Sequence, residues 1–339
     1  MTLIAKGLGC SLRHSITEFR SVPELSVVTA ADGSYVAQAC VLARSLSLSQ
    51  AVPVDLTVLG TGWSRRDVDR LRRAGTERVF VQVIDPGDPR AGQVKSLKHG
   101  FPVASMYSVI APQLRQFDGS ERIVYLDADT VVRHDLRPLL SHPMVTPVAA
   151  VVDAHVALVG MPSMWRAWRE EEVDPMVPYL NTGVMIIEVA AWRGHQVTDR
   201  VFDLLDRYAL PCVDQDALNL VLGGWFDRLE PRWNLMPYHL MRLLRTSDLV
   251  ESDESLGDAI NDPSIIHYHR SFLGKPWQLG CSHPARKLWR RLASSIGLRG
   301  RSLSIRDTAR NSGARFVGMS VLDPRCAQLE RLSATDSVT

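Results

Sequence analysis

Two aspartates separated by one residue close a short apolar run, Ile123 to Val132, IVYLDADTVV. Ile123, Val124, Tyr125 and Leu126 have the β-branched, aromatic and aliphatic character of a buried strand. Residues i and i+2 of an extended chain point the same way, so Asp127 and Asp129 stand side by side where the strand ends. Paired carboxylates repel unless a cation lies between them. Oxygen ligands suit Mg²⁺ or Mn²⁺, ions commonly shared with substrate phosphates. In an open α/β sheet the carboxyl ends of the strands are where ligands bind. An Asp-rich turn has the same composition, so the rest of the chain must decide between the two.

The elements around this run alternate. Leu25 to Ala30 reads as a first buried strand. Ala30-Ala31-Asp32-Gly33 reads as a turn, and Ser34 as the cap of a helix running to about Ser47. Val54 to Leu59 and Arg78 to Ile84 are strands that flank a charged helix, Ser64 to Ala74. Asp85 to Gly100 is a loop, and Val103 to Gln116 a helix complicated by Pro112. Val148 to Val152 is a strand ending at Asp153. Residues 155–179, with Trp165, Trp168 and the acids Glu170, Glu171 and Glu172, form an inserted, partly helical flap. Leu180-Asn181-Thr182-Gly183 leads into a strand, Val184 to Ile187, and Trp192 to Tyr208 is helical. Asp214-Gln215-Asp216 starts a helix ending at Leu222; acids suit a first turn, so capping alone accounts for them. Ile265 to His269 is a last short strand, and Pro284 to Ile296 a closing helix. This is the βαβ rhythm of an α/β protein with a mostly parallel sheet and helices on both faces.

The chain has 339 residues and 45% hydrophobic composition, enough for one large domain or two small ones. The formal net charge is +2, and no nucleic-acid partner is expected. Five scattered cysteines without a CxxC suggest reduced thiols and a cytoplasmic setting. No apolar run approaches the ~20 residues of a membrane span. Residues 1–22 read as a loose leader, 23–283 as the catalytic domain, and 284–339 as a helix with a basic tail. Arg286, Lys287, Arg290, Arg291, Arg299, Arg301, Arg306, Arg310 and Arg315 face a single acid, Asp307. Such a tail suits an anionic membrane surface or an anionic acceptor, and a peripheral membrane location.

Five motifs in order resemble glycosyltransferase family 8, which includes glycogenin and bacterial lipooligosaccharide galactosyltransferases. They are VVTAADGSYVAQACVLARSL, IVYLDADTVV, LNTGVMIIEVAAWR, DQDALNLVL with RWNLMP, and IIHYHRSFLGKPW. The resemblance covers roughly residues 25–280 and implies a GT-A fold: a single Rossmann-like α/β domain with a nucleotide-binding first half. It implies Mn²⁺-dependent transfer of a hexose, glucose or galactose, from a UDP-sugar with retention at the anomeric carbon. Carried over by motif, Ala30, Ala31 and Asp32 lie at the uracil with Tyr35 close by, and Leu126 and Ala128 line the nucleotide. Asp127 and Asp129 hold the metal. Asp153, Asn181, Thr182 and Gly183 face the sugar. Asp214 and Gln215 lie by its hydroxyls and anomeric carbon, as the residues nearest the chemistry. Lys275 contacts the diphosphate, with Trp277 supporting its loop. The acceptor, whether sugar, glycolipid, natural product or protein, is left open.

The chemistry agrees with these assignments. UDP leaves with its charge stabilised by a divalent Lewis acid and by a nearby Lys. Two departures from the family pattern matter. The metal-binding His is His269 by its distance before Lys275, but His267 by its strand context. The Tyr-x-Arg expected before the Asp-x-Asp strand is replaced by Met106-Tyr107-Ser108-Val109-Ile110, and Lys95 or Lys98 is either a substitute for the Arg or an ordinary surface lysine. The retaining step is open between attack by an enzyme nucleophile and same-face displacement. A nucleotidyltransferase would carry a Gly-rich basic loop after the first strand, which TAADGSYVAQ is not. A non-catalytic sugar-nucleotide-binding protein would be expected to have lost an Asp or Lys275.

Overall fold

A computed structural model describes residues 25–94, 102–160, 167–240, 254–271 and 273–298. Seven strands form one mixed sheet in the order β3-β2-β1-β4-β7-β6-β8. They are β1 (Leu25–Ala30), β2 (Val54–Leu59), β3 (Val79–Ile84), β4 (Arg122–Leu126), β6 (Val148–Val152), β7 (Leu180–Glu188) and β8 (Asp227–Arg228). β5 (Thr130–Val132) and β9 (Ile265–His267) pair separately as an antiparallel ribbon. β1 pairs in parallel with both β2 and β4, whereas β7 is antiparallel to β4 and β6. Helices of two turns or more are α1 (Val36–Ser49), α2 (Arg65–Gly75), α3 (Val197–Arg207), α4 (Val213–Leu222), α5 (Glu254–Asn261) and α6 (Arg286–Ser295).

Strand residues are buried on both faces because each face meets a separate core. Val28, Tyr125, Met185 and Ile187 pack on one side with Trp192, Phe202 and Leu218. Val27, Val124, Val184 and Ile186 pack on the other with Ala39, Leu42 and Leu46 of α1. The chain leaves β1 toward β2 on one side, and β4 lies on the other. The crevice between the ends of β1 and β4 is therefore a topological switch point, where such sheets bind ligands.

A third cluster joins Val41 of α1, Val131, Ile266, Trp277 and Trp289. Trp289 of α6 stands with its ring centroid 5.3 Å from that of Trp277. Arg290 donates from Nε to the Pro276 carbonyl at 2.9 Å, so α6 grips the loop that carries Lys275. Truncating a buried Trp such as Trp289 to Ala is expected to cost about 3–5 kcal/mol.

Several local expectations change. Ser34 does not cap α1: its N–H and hydroxyl both donate to Asp32 Oδ1, and Tyr35 holds the cap position without a side-chain hydrogen bond to the helix's first N–H groups. Ser64, by contrast, forms a capping box with Asp67 on α2. Residues 103–117 are not one helix but a series of single turns broken around Pro112, since Pro lacks the N–H that a continuous helix needs. The expected helix Trp192 to Tyr208 is two, Val189–Gly194 and α3, separated at Gln196 with φ 53°. Asn181-Thr182-Gly183 does not lead into β7 but lies inside it. The last strand stops at His267, short of His269. Among its described residues, 85–94, the loop Asp85 to Gly100 contains one short helix, Pro89–Gln93, capped by Asp88. Within the flap, Leu158 and Pro178 bridge and Ala167–Glu170 is helical. The leader, Lys95, Lys98, Trp165 and the tail from residue 299 lie outside the described residues.

Candidate active site

One edge of the sheet gathers nearly all the expected residues, and the strand directions explain why. β4 and β6 run the same way, so Asp127 and Asp153 emerge at the same edge. β7 runs against both, so its beginning, Leu180 to Gly183, meets their ends: Leu126 pairs with Val184 and Val152 with Leu180. The Asp127 N–H donates to the Gly183 carbonyl at 2.8 Å. The β5–β9 ribbon then folds His267 over this edge, with Thr130 opposite His267 and the Tyr268 N–H bonded to the Asp129 carbonyl at 2.9 Å.

At the ribbon end of this edge, Asp127, Asp129 and His267 offer ligand atoms that all lie within 4.8 Å of one another. His267 Nε2 is 3.2 Å from Asp129 Oδ1 and 3.5 Å from Asp127 Oδ2. Two carboxylates and an imidazole fit a borderline-hard divalent ion. Tyr125 donates its hydroxyl to Asp127 Oδ1 at 3.0 Å, and Lys275 Nζ pairs with Asp129 Oδ2. Loss of hydration raises the Asp127 carboxyl against the pull of His267. Burial alone would raise Asp129 too, but Lys275 and His267 outweigh it and hold that carboxyl well below the usual range. Gly183 is required here. A Cβ at that position would lie 2.2 Å from His267 Cε1 and 2.9 Å from Asp127 Oδ2, contacts that no side chain accommodates.

The other end is polar but holds no cation among its described contacts. Asp153 accepts at Oδ1 from the N–H groups of His155 and Val156, and at Oδ2 from Asn181 Nδ2 at 2.8 Å and Gln215 Nε2 at 3.3 Å. Gln215 Oε1 accepts from Asn181 Nδ2, the Thr182 N–H and the Thr182 hydroxyl at 3.1–3.2 Å. Asp214 Oδ2 lies 3.3 Å from the Thr182 hydroxyl and 3.4 Å from that of Ser108. Burial, with the charge of Asp127 behind it, pushes the Asp214 carboxyl up to about 8. Asp214 and Gln215 open α4 after Val213, whose φ of 30° a β-branched residue rarely adopts. Asp216 is not a simple helix cap facing water. It is fully buried and ties the turn together, taking the Tyr179 hydroxyl at 2.6 Å and the Cys212 N–H at 2.7 Å.

The nucleotide residues expected after β1 lie across the crevice. The Ala31 carbonyl accepts from Trp63 Nε1 at 2.8 Å, Asp32 folds the turn through Ser34, and exposed Tyr35 stands edge-on to Trp277 with centroids 6.3 Å apart. Leu126 and Ala128 are buried beside Asp127. His269 departs from the expectation that it shares a strand face with His267. It lies past the end of β9 and outside the three-residue group. Its ring is 5.6 Å from that of His267 and 5.9 Å from that of Tyr238, which stacks on His155 at 4.2 Å. Burial and the neighbouring His267 push it down to about 4. Tyr125, Asn234, Ser108, Tyr238 and Trp63 escaped the sequence reading. Only Asn234 and Tyr125 sat in quoted motifs, and nothing in RWNLMP or IVYL marks them as polar partners of the site.

The family described as Glycosyl transferase family 8 matches residues 26–280. Over 190 residues the chain is 30% identical to general stress protein A of Bacillus subtilis, covering 54% of this chain and 62% of that protein. Over 162 residues it is 30% identical to a lipopolysaccharide 1,2-glucosyltransferase of Escherichia coli, covering 46% and 44% respectively. The chain covers less than two-thirds of the length of these curated relatives. The solved galactosyltransferase LgtC, in complex with donor and acceptor sugar analogues, superposes with a TM-score of 0.64 at 22% identity, over 80% of this chain and 96% of that one. That likeness is one of fold, GT-A. With the family matched over residues 26–280, which include every residue of the site just described, the chain belongs to glycosyltransferase family 8.

Proposed function

We propose that the chain transfers a hexose, glucose or galactose, from a UDP-sugar with retention of configuration, and that Mn²⁺ is held by Asp127, Asp129 and His267. Mg²⁺ is the alternative ion for the same ligands. The observation that carries this reading is that one sheet edge holds an end where carboxylates face Lys275 and His267 and an end where carboxylates face neutral donors. The ion supplies Lewis-acid stabilisation of the departing diphosphate. Lys275, beside Asp129, places a second positive charge where that charge develops. Ala30, Ala31, Asp32 and Tyr35 line the crevice for the base, with Leu126 and Ala128 as its floor. Asp153, Asn181, Thr182 and Gly183 face the sugar, with polar atoms that can discriminate hydroxyl epimers.

The geometry favours positioning over covalent catalysis at Asp214 and Gln215. The Gln215 carbonyl oxygen already accepts three hydrogen bonds, and an amide is a poor nucleophile. Asp214 is already engaged by the hydroxyls of Thr182 and Ser108 at 3.3 and 3.4 Å, which suits a carboxyl that positions a sugar. Both fit a same-face displacement in which they hold the sugar. The acceptor, a hydroxyl of a sugar, glycolipid, natural product or protein, enters past Asp153, where the His155–Tyr238 stack offers a flat face. Cys40, Cys212 and Cys281 are free thiols, which supports a cytoplasmic setting. No described helix is long and apolar enough to cross a membrane.

The test is a panel of UDP-sugars scored for UDP release with Mn²⁺, with and without pooled acceptors. Mn²⁺-dependent release from one UDP-hexose is expected. Binding of UDP and Mn²⁺ without turnover of any donor would make the chain a sugar-nucleotide-binding protein. Release of pyrophosphate from a nucleoside triphosphate would make it a nucleotidyltransferase.

A further inference from the structure

Asn234 is fully buried and stands between two groups that the sequence assigns to different tasks. Its Nδ2 donates to Asn181 Oδ1 at 2.8 Å, and its Oδ1 lies 3.0 Å from His267 Nδ1. The amide orientations along this line are not free. Gly183 N–H, an obligatory donor, is 3.0 Å from one Asn181 amide atom, which must therefore be oxygen. The other Asn181 amide atom meets the Asp153 carboxylate at 2.8 Å, so it must be nitrogen. With Asn181 Oδ1 fixed, the Asn234 atom facing it must be the NH₂ group, and the Asn234 atom facing His267 must be the carbonyl oxygen. That oxygen can only accept, so His267 Nδ1 carries a proton. In the neutral imidazole the lone pair is then on Nε2, the nitrogen turned toward Asp127 and Asp129.

We propose that Asn234 is a positioning residue whose amide transmits a fixed hydrogen-bond polarity from the sugar-facing strand β7 to the His267 imidazole, setting the tautomer that presents Nε2 to a divalent ion. The inference rests on the reading of Asp127, Asp129 and His267 as metal ligands. Partners that fix a ligating imidazole typically change metal affinity 10–100-fold when removed. The chain has a second consequence. Asn181 and His267 share one amide, so the sugar end and the metal end cannot reorient independently.

Two variants separate the ends. Asn234→Leu keeps the volume and removes both bonds. Asn234→Asp still accepts from His267 Nδ1–H but turns a second acceptor on Asn181 Oδ1. Binding of Mn²⁺ to the protein alone, followed by loss of the free-ion EPR signal, should weaken about 10–100-fold in Asn234→Leu and stay within about two-fold of the parent, or tighten, in Asn234→Asp. At saturating Mn²⁺, Asn234→Asp should instead lose kcat for UDP-sugar turnover about ten-fold. Equal losses of Mn²⁺ affinity in both variants, tracking their melting temperatures, would overturn the proposal by making Asn234 a packing residue. A direct reading needs no variant: ¹⁵N-histidine NMR of the parent protein, metal-free and with the diamagnetic ion Cd²⁺, should show His267 Nδ1 protonated in both. An unprotonated Nδ1 in either would overturn the proposal even if no variant folds. A parent protein that binds no Mn²⁺ would defeat the metal reading instead, and the Nδ1 proton would still decide the hydrogen-bond chain.

Discussion

The two ends of the site use the same raw material, carboxylates at one sheet edge, in opposite ways. At the ribbon end, Asp127 and Asp129 are faced by Lys275 and His267, and Asp129 is held strongly acidic. At the α4 end, Asp153, Asp214 and Asp216 are met by amides, hydroxyls and backbone N–H groups, and Asp214 is pushed up to about 8. Under the proposed function, the end with cations takes the diphosphate and the end with neutral donors takes the sugar.

The comparison breaks first at the charged end. Asp127→Asn or Asp129→Asn removes charge at nearly constant volume, and each is expected to lower Mn²⁺-dependent UDP release by about 10²-fold or more. Full turnover in either at saturating Mn²⁺ would remove the metal assignment. Next, His267→Ala should raise the Mn²⁺ concentration for half-maximal activity by about ten-fold or more, whereas His269→Ala should leave it within about two-fold. A reversed order would return the ligand to His269 and dissolve the three-residue group.

A smaller effect sharpens the neutral end. An acid whose folded pKa is raised binds more protons folded than unfolded between the two values, so it costs stability as pH rises through that window. For Asp214 the window runs from the ordinary 3.8 to about 8. Asp214→Asn abolishes the term. With EDTA present, the melting temperature of the variant relative to the parent should therefore climb between pH 4 and pH 8 and level off above. Asp214 keeps some solvent contact, so the climb should be only about a few degrees. A constant difference across the range would show that Asp214 ionises normally.

The strand skeleton was legible in the sequence because periodicity and β-branched runs are local. Leu25 to Ala30, Val54 to Leu59 and Val148 to Val152 stand where the pattern puts them. Asp127, Asp129 and His267 were legible as motif residues, yet the choice between His267 and His269 was not. It depends on where β9 ends, which is set by its pairing with β5 rather than by its own residues. Asn234 and Tyr125 were invisible for the same reason. An Asn before an apolar pair, or a Tyr within a strand, acquires meaning only from what the fold places opposite it. Gly183 read as part of the lead-in to a strand and as facing the sugar, and the imidazole that leaves no room for a Cβ there emerges only from the fold.

The ribbon of β5 and β9 also fixes the order in which chemistry can begin. Asp129 and Lys275 are 146 residues apart in the chain, and His267 reaches Asp127 only when β9 pairs with β5. During synthesis the carboxylates leave the ribosome long before the imidazole and the ammonium that complete the charged end. A chain made only as far as β7 therefore carries Asp127 and Asp129 without the imidazole and the ammonium that face them in the finished fold.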